Sequence, residues 1–159
     1  MKRFSDYIEA LCREHKMVAH KDCECHFSCL VSDFDSKLQR VMHYPCVGLD
    51  LDGFRLEGTP GNLLQVPVFN LYFLVHVKDH GNLQEKLRAF STTQIIMQDF
   101  LARMQRDREN VVSPVERFSL LGSEAFRIEF TDAALYGWMI SIENPVSFNT
   151  ANCNHNFDI

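Results

Sequence analysis

The stretch Gln65-Val-Pro-Val-Phe-Asn-Leu-Tyr-Phe-Leu-Val-His-Val-Lys78 decides the fold of this chain, because it predicts a long β-strand with two apolar faces. Successive side chains on a strand point to opposite faces of the sheet. One face of this strand carries Phe69, Leu71, Phe73, Val75 and Val77, and the other carries Val68, Tyr72 and Leu74. A strand of this kind is covered on both sides. Its length, well beyond the usual strand of about 5 or 6 residues, predicts pairing outside the domain's own core.

A long amphipathic helix is predicted to follow this strand, from Asn82 to about Asp107. Its apolar residues recur at alternating steps of four and three, which places them in one stripe along the helix. We expect Leu87, Phe90, Met97, Leu101 and Met104 to face the sheet, and Lys86, Arg88 and Arg103 to lie toward solvent or another subunit. The strand and the helix together predict a sheet covered by a helical layer.

The chain has 159 residues, an apolar fraction of 46% and a formal charge of −5, which are the properties of one globular domain. Nucleic acid is not expected as a sequence-specific partner, because phosphate binding needs concentrated basic groups that this sequence lacks. The sequence contains no apolar run of about 18 residues, so no membrane span is predicted. The first residues become charged too early for a signal peptide, so we expect a soluble protein made in the cytosol.

The remaining pattern predicts an α+β domain at residues 1–145, with a mostly antiparallel sheet, an N-terminal helix and one long helix packed on it. Residues 146–159 are expected to form a C-terminal tail that acts between subunits. In chain order, the other predicted elements are a helix from Ser5 to Lys16, strands at 23–31 and 44–52, a Gly-rich mobile loop or hairpin tip at 53–61, and strands at 115–121, 125–130 and 136–143. In the strand at 125–130, Phe126, Ile128 and Phe130 face one way and Arg127 and Glu129 the other, so that one face meets the helix.

Six cysteines in a cytosolic chain point to free thiols rather than to disulfides. A cluster of them first suggests a structural zinc site, because thiolates and imidazoles are the ligands of such sites. Strand alternation disperses these side chains over two faces, and buried cysteine also behaves as a small apolar residue. We therefore expect no bound metal and no cofactor. The candidate ligands are His20, Cys23, Cys25, His26 and Cys29, with Cys153 and His155 as distant additions.

Two further arrangements hint at chemistry. Cys46 beside His43 is a local thiol and imidazole pair, but no tight Gly-containing turn surrounds the cysteine, so burial is the preferred interpretation. Asp50 and Asp52 fall on one face of a strand and could hold a hard cation. Acidic residues are also typical of a strand that leaves the core for a Gly-rich loop, and we prefer this second interpretation. The sequence therefore predicts no catalytic site.

At this point the chain resembles the tail-terminator and tail-completion proteins of long-tailed bacteriophages. The resemblance lies in the order and lengths of the elements from the first helix to Pro145. It also extends to uncharacterised proteins of phages and prophages of Bacteroides-type bacteria, which share His20 followed by His26-Phe27. The segments that carry it are the Tyr44-Pro45-Cys46-Val47 strand opening, the 53–61 arm, the 65–78 strand leading into the 83–107 helix, and the closing strand Tyr136-Gly-Trp-Met-Ile-Ser-Ile142.

The resemblance implies a structural virion protein rather than an enzyme. Its subunits would form a homo-oligomeric ring, hexameric by analogy, at the head-proximal end of the tail tube, joined to neck or connector proteins and assembled in the host cytoplasm. Gly53, Gly58, Gly61, Phe148 and Phe157 are the expected inter-subunit residues. The alternatives are a cysteine-rich metal-binding or redox-sensing module of a prophage or related injection machine, and a small enzyme with an unrecognised site.

Overall fold

A computed structural model describes residues 2–19, 27–29, 43–59, 62–120 and 122–147 of the chain. Two α-helices lie within these ranges, α1 (Lys2–Glu14) and α2 (Leu83–Glu109). The strands are β1 (Phe27–Cys29), β2 (Cys46–Thr59), β3 (Asn62–His76), β4 (Ala125–Phe130), β5 (Leu135–Glu143) and β6 (Val146–Ser147), and a short 3-10 helix spans Thr131–Ala133.

The described strands belong to one sheet, in which β1, β2, β3, β5 and β4 lie side by side in that order. β1 runs parallel to β2, while the other neighbouring pairs are antiparallel. β6 pairs with β3 beyond the end of β5, so the first residues of the predicted tail belong to the sheet. The predicted α+β class, with a mostly antiparallel sheet, an N-terminal helix and one long helix, is confirmed.

β3 has the two covered faces that its sequence predicts. Phe69, Leu71 and Phe73 are buried in the main core, which α1 and α2 close from one side. Tyr72 and Leu74 point to the other face and join a second apolar cluster with residues of β4 and β5. Burial on both faces stabilises β3 as the central strand, because each apolar side chain removed from water contributes about 1.5 to 3 kcal/mol.

Close packing of β5 on β3 depends on Gly137, which is paired with Leu74. A Cβ atom added at Gly137 would lie 1.8 Å from the carbonyl oxygen of Phe73. The absence of a side chain at Gly137 therefore permits a close backbone approach between β3 and β5. The next residue, Trp138, faces α2, and its indole nitrogen donates a hydrogen bond of 3.0 Å to the carbonyl oxygen of Phe90.

Helix α1 packs on the sheet through a buried apolar stripe, which includes Ile8, Leu11 and Cys12. The ring of Phe4 stacks on that of Phe69, with 4.4 Å between the ring centroids. The helix begins at Lys2, so its predicted start at Ser5 is wrong. Starting earlier keeps Phe4 within the helix, where it can cover the sheet.

Helix α2 begins where its cap predicts, since the Asn82 side chain accepts hydrogen bonds from the backbone of the first turn. Phe90, Met97 and Met104 are buried, which confirms most of the predicted stripe. Leu87 is 42% exposed, however, so its predicted packing on the sheet is wrong. With 3.6 residues per turn, Leu87 lies about 120° around the helix from the buried Thr93, at the centre of the stripe.

The charged residues predicted for the outer side of α2 have different surroundings. Arg88 is exposed, whereas Lys86 is half-buried and its ammonium group lies 5.0 Å from the centre of the Tyr136 ring. Arg103 donates hydrogen bonds to the carboxylate of Asp107 and, across to α1, to that of Glu14. These contacts fasten the second half of α2 to α1.

Residues 115–120, the described part of the segment 115–121, do not form the predicted strand. Val115 and Phe118 are both buried, and backbone hydrogen bonds close two successive turns at these residues. Residues three apart share one side in such turns, which replaces the alternation that a strand would need. Ser119 makes a single bridge to Glu143 of β5.

In β4, the polar face that carries Arg127 lies beside helix α2. An apolar face would be the simpler expectation for a strand covered by a helix. The guanidinium of Arg127 lies 4.8 Å from the centre of the Phe90 ring and 5.9 Å from that of Trp138. Ile128 and Phe130 pack instead in the cluster on the opposite face of the sheet. Arg127 is exposed, and its guanidinium covers these two rings because a flat cation is attracted to aromatic ring faces.

Candidate assembly surface

A long β-hairpin built from β2 and β3 carries a row of exposed residues along the outer half of β2. β2 was predicted to end near Asp52, but it continues to Thr59 and stays paired with β3 as far as Asn62. Residues 53–59 therefore belong to a hairpin, one of the two predicted forms of the 53–61 segment, and they do not form a loop. Residues 60–61, including Gly61, lie outside the described residues.

The two described glycines of this segment have different roles. Gly53 follows a β-bulge, where the pairing with β3 shifts after Leu51, and a Cβ there would meet no atom within 4 Å. Gly58 has a φ of +113°, and a Cβ there would lie 2.2 Å from the carbonyl oxygen of Asn62. Only Gly58 is thus required as glycine by the backbone.

The hairpin presents apolar side chains to solvent beyond the main core. Phe54 is 60% exposed and Leu56 is 51% exposed, although both lie in a regular strand. Their partners across the hairpin are Pro67 and Gln65, which places them on the same sheet face as the helices. Exposed apolar side chains grouped on a rigid element are typical of protein interaction sites.

The opposite face of the hairpin is held to β5 by charge. The guanidinium of Arg55 donates two hydrogen bonds to the carboxylate of Glu143, one of them 2.7 Å from Nη2 to Oε2, and a third to Glu57. The hydrogen bond from Arg55 lowers the pKa of Glu143 below its ordinary value. This two-pronged geometry positions the hairpin relative to β5.

A cleft of about 670 Å³ adjoins the exposed apolar residues of the hairpin. Its floor is the sheet, with Leu51 and Phe54 from β2 and Pro67 and Phe69 from β3. Its walls are the first turn of α1, the turn at 113–117, and the short connection between β5 and β6. The volume falls within the range of about 300 to 1,000 Å³ that is typical of sites for small molecules or side chains.

Asn144 is the most unusual residue of this cleft. Its exposure is only 2%, and its side-chain nitrogen donates a hydrogen bond of 2.7 Å to the carbonyl oxygen of Pro114. Within the described part of the chain, its Oδ1 atom has no hydrogen-bond partner. A buried acceptor without a donor costs about 1 to 3 kcal/mol, so such atoms are uncommon in native structures.

Sequence reasoning missed the cleft. The Asn144-Pro145 pair does signal the end of a strand, since proline interrupts the hydrogen-bonding ladder. Nothing in the local pattern, however, shows that Asn144 is buried or that Pro114 lies beside it. These are long-range contacts, and they depend on how the turn at 113–117 packs against the sheet.

The thiol and imidazole pair of Cys46 and His43 is the first of the candidate chemical sites. Cys46 is buried in the cluster with Tyr72 and Leu74, and burial raises the pKa of its thiol well above the ordinary value. A thiol in this state stays protonated and is a poor nucleophile, whereas His43 is exposed. The pair is therefore arranged as the packing interpretation expects.

The negative charges of Asp50 and Asp52 both act on the hydroxyl group of Tyr72. Burial, followed by the charge of Asp50 and more weakly that of Asp52, raises the pKa of the Tyr72 hydroxyl. Asp50 is half-buried and Asp52 is exposed. Across the described ranges, no group of three or more His, Cys, Asp or Glu side chains is arranged to hold a metal ion.

Other predicted residues lie outside the described ranges. These are His20, Cys23, Cys25 and His26 of the metal candidates, their distant additions Cys153 and His155, and the inter-subunit candidates Phe148 and Phe157. Cys29 is described through its backbone, which pairs with Leu49 in the sheet. Of the predicted inter-subunit residues, the described ranges include Gly53 and Gly58, which both lie in β2 of the hairpin.

Neither helix of the described structure has both the length and the apolar character needed to cross a membrane. No model of a known protein family matches the chain, and no curated protein is significantly similar to it.

Proposed function

We propose that the chain is a structural subunit that assembles into a closed ring and acts as the tail terminator of a phage tail. The observation that carries this proposal is the β2–β3 hairpin, which extends past the core and exposes Phe54 and Leu56 at its side. Apolar groups on a rigid arm fit a contact with a neighbouring subunit, because their burial there removes them from water.

A ring also suits the hairpin's geometry. A contact between an arm on one subunit and a different surface on the next is heterologous, and such contacts close into rings when the rotation between subunits permits. Arg55 and Glu143 fix the arm against the sheet, so little conformational freedom is lost on association. The ring is proposed to be hexameric, by the resemblance described above.

The proposed location is the head-proximal end of the tail tube, where the ring contacts tube subunits on one side and neck or connector proteins on the other. The formal charge of −5 supports a lining that does not bind DNA tightly, because phosphate contacts need basic side chains. No cofactor takes part in this role. Assembly takes place in the host cytoplasm, and the mature location is the virion.

Light scattering of the purified protein, over a range of concentrations, tests ring formation. We expect a closed oligomer for the natural chain and a monomer for Leu56→Asp. Ile95→Asp is the matched control, because Ile95 is also 51% exposed but lies on α2. A natural chain that stays monomeric, or a Leu56→Asp variant that assembles as well as the control, would refute the hairpin contact.

The position in the virion needs a second experiment. Antibodies against the protein, coupled to gold particles, can be applied to phage particles from the organism that encodes the chain and viewed by electron microscopy. Label at the junction of head and tail supports the proposal. Label confined to the capsid surface, the tail tip or no particle at all refutes the tail-terminator role even if the protein forms rings.

A further inference from the structure

The cleft beside the hairpin is built to receive a polar donor and an apolar group together. Its floor exposes parts of Leu51 and Phe54, which a ligand could cover. Asn144 lines the same cleft, and the Oδ1 atom that lacks a partner in the described residues accepts hydrogen bonds but donates none. An N–H group brought into the cleft would remove the cost of that buried acceptor.

The charges at the cleft favour an acidic occupant. Arg3, from the first turn of α1, and Arg117, from the turn at 113–117, both line it and are exposed. Glu116 is the acidic residue of the lining. Two guanidinium groups around an apolar floor suit a segment in which a carboxylate stands next to a large apolar side chain.

The chain itself contains such a segment, in the residues that follow β6. In the sequence 148–159, Phe-Asn-Thr-Ala-Asn-Cys-Asn-His-Asn-Phe-Asp-Ile, the aromatic Phe157 directly precedes Asp158, the segment's one carboxylate side chain. Four asparagines provide side-chain N–H donors in addition to the backbone. Fully extended, these residues reach about 40 Å, which is enough to cross to a neighbouring subunit.

The direction of β6 favours a neighbour's cleft over the chain's own. Val146 lies opposite Gln65 and Ser147 opposite Leu64, so the chain runs along the hairpin toward its tip as it leaves the described structure. Val146 itself lines the cleft. At Ser147 the backbone therefore leads past its own cleft toward the tip of the hairpin, which is the element that we propose contacts a neighbouring copy.

We propose that residues 148–159 of one subunit bind in the cleft of the next, with Phe157 on the apolar floor and Asp158 facing Arg3 and Arg117. An N–H group of the segment donates a hydrogen bond to Asn144 Oδ1. This inference rests on the proposed ring, and it names the surface that receives the C-terminal segment. The cleft and the hairpin then form two parts of one continuous interface, because Phe54 belongs to both.

A photo-crosslinking experiment tests the contact directly. Benzoylphenylalanine replaces Glu116, an exposed residue of the lining, and isotopically light and heavy chains are mixed before assembly and irradiation. Mass spectrometry should find position 116 joined to a peptide within 148–159, with one light and one heavy partner. Links only within one chain, or only to other segments, would overturn the proposal.

Assembly measurements provide a second test and separate the two proposals. Phe157→Ala should raise the concentration needed for assembly about tenfold or more, as for a central interface aromatic. Arg117→Glu should raise it roughly two- to fivefold, the effect of an exposed ion pair, and Asp158→Arg should restore it when combined with Arg117→Glu. Arg88→Glu, the same charge change on an exposed part of α2, is the control.

The outcomes are distinct. If the natural chain never forms oligomers, the proposed function fails. If it forms rings whose assembly is unchanged by Phe157→Ala and by Arg117→Glu, the ring survives and the cleft proposal alone is wrong.

Discussion

Replacing Gly137 by alanine should disrupt the pairing of β3 with β5, on which the cleft and the hairpin both depend. The added Cβ would lie 1.8 Å from the carbonyl oxygen of Phe73 and 3.2 Å from the Cα of Leu74. Both neighbours are backbone atoms in the central strand, so no side chain can rotate away. The strands must separate by about 1 Å, because real Cβ atoms stay more than 3.0 Å from such neighbours.

The expected loss of stability combines three effects. Overpacking a core costs about 1 to 3 kcal/mol, and each ladder hydrogen bond stretched beyond its range costs about 1 kcal/mol more. The reduced freedom of the unfolded chain returns about 0.4 to 1 kcal/mol. Gly137→Ala should therefore lower the free energy of unfolding by about 2 to 4 kcal/mol, which is a large part of the 5 to 15 kcal/mol of a typical domain.

Urea unfolding followed by tryptophan fluorescence measures this loss, since Trp138 is the one tryptophan of the chain and packs beside α2. Gly53→Ala is the matched control, because a Cβ there meets no atom within 4 Å. The control should be neutral or slightly stabilising. A loss below about 0.5 kcal/mol for Gly137→Ala, with an unchanged denaturant slope, would mean that β3 and β5 do not approach as described.

Three further predictions concern packing, pH and the hairpin. Phe100→Ala should cost about 3 to 5 kcal/mol in urea unfolding, as a buried truncation, whereas Leu87→Ala should cost less than about 0.5 kcal/mol; equal losses would contradict the orientation of α2. Because burial raises the pKa of the Cys46 thiol in the folded state, the unfolded chain releases this proton first, so stability should fall as pH rises above the ordinary value of 9.0. Cys46→Ala should make that fall smaller, and an identical pH profile would refute the assignment. Glu143→Gln should leave global unfolding nearly unchanged while amide hydrogen exchange in the distal hairpin becomes faster, and equal exchange rates would show that its ion pair does not hold the hairpin.

The sequence predicted most reliably the elements whose burial follows a simple period. The alternation around Leu71 and Tyr72 placed β3 between two covered faces, and Asn82 marked the start of α2. Leu87 was misplaced because a strict four-and-three pattern drifts around a straight helix over several turns. Val115 and Phe118 were assigned to a strand because their apolar character was visible, while their spacing in two turns was not read.

Such reasoning predicted the hairpin of the candidate site but not the cleft beside it. The Gly-rich segment identified the hairpin, because glycines mark turns and bulges, but the strand's continuation to Thr59 came from pairing with β3 rather than from local preference. The buried oxygen of Asn144 and the convergence of Arg3 and Arg117 arise from segments distant in sequence. A single sequence without its fold contains no pattern that brings these three residues together.

The bulge after Leu51 has a consequence for how this protein could change over generations. Leu51 pairs with Phe69 and Phe54 with Pro67, so the extra residue, Asp52, restores the outer part of β2 to the helix side. If Asp52 instead paired with β3 in regular alternation, Phe54 and Leu56 would turn to the opposite face and Arg55 would turn away from Glu143, since a one-residue slip reverses every side chain of a strand. Deletion of Asp52, by contrast, would leave Gly53 opposite Val68 and Phe54 opposite Pro67, so the apolar and charged sides of the hairpin would keep their places. A single deletion at the bulge could therefore straighten β2 during evolution without exchanging the two faces of the hairpin.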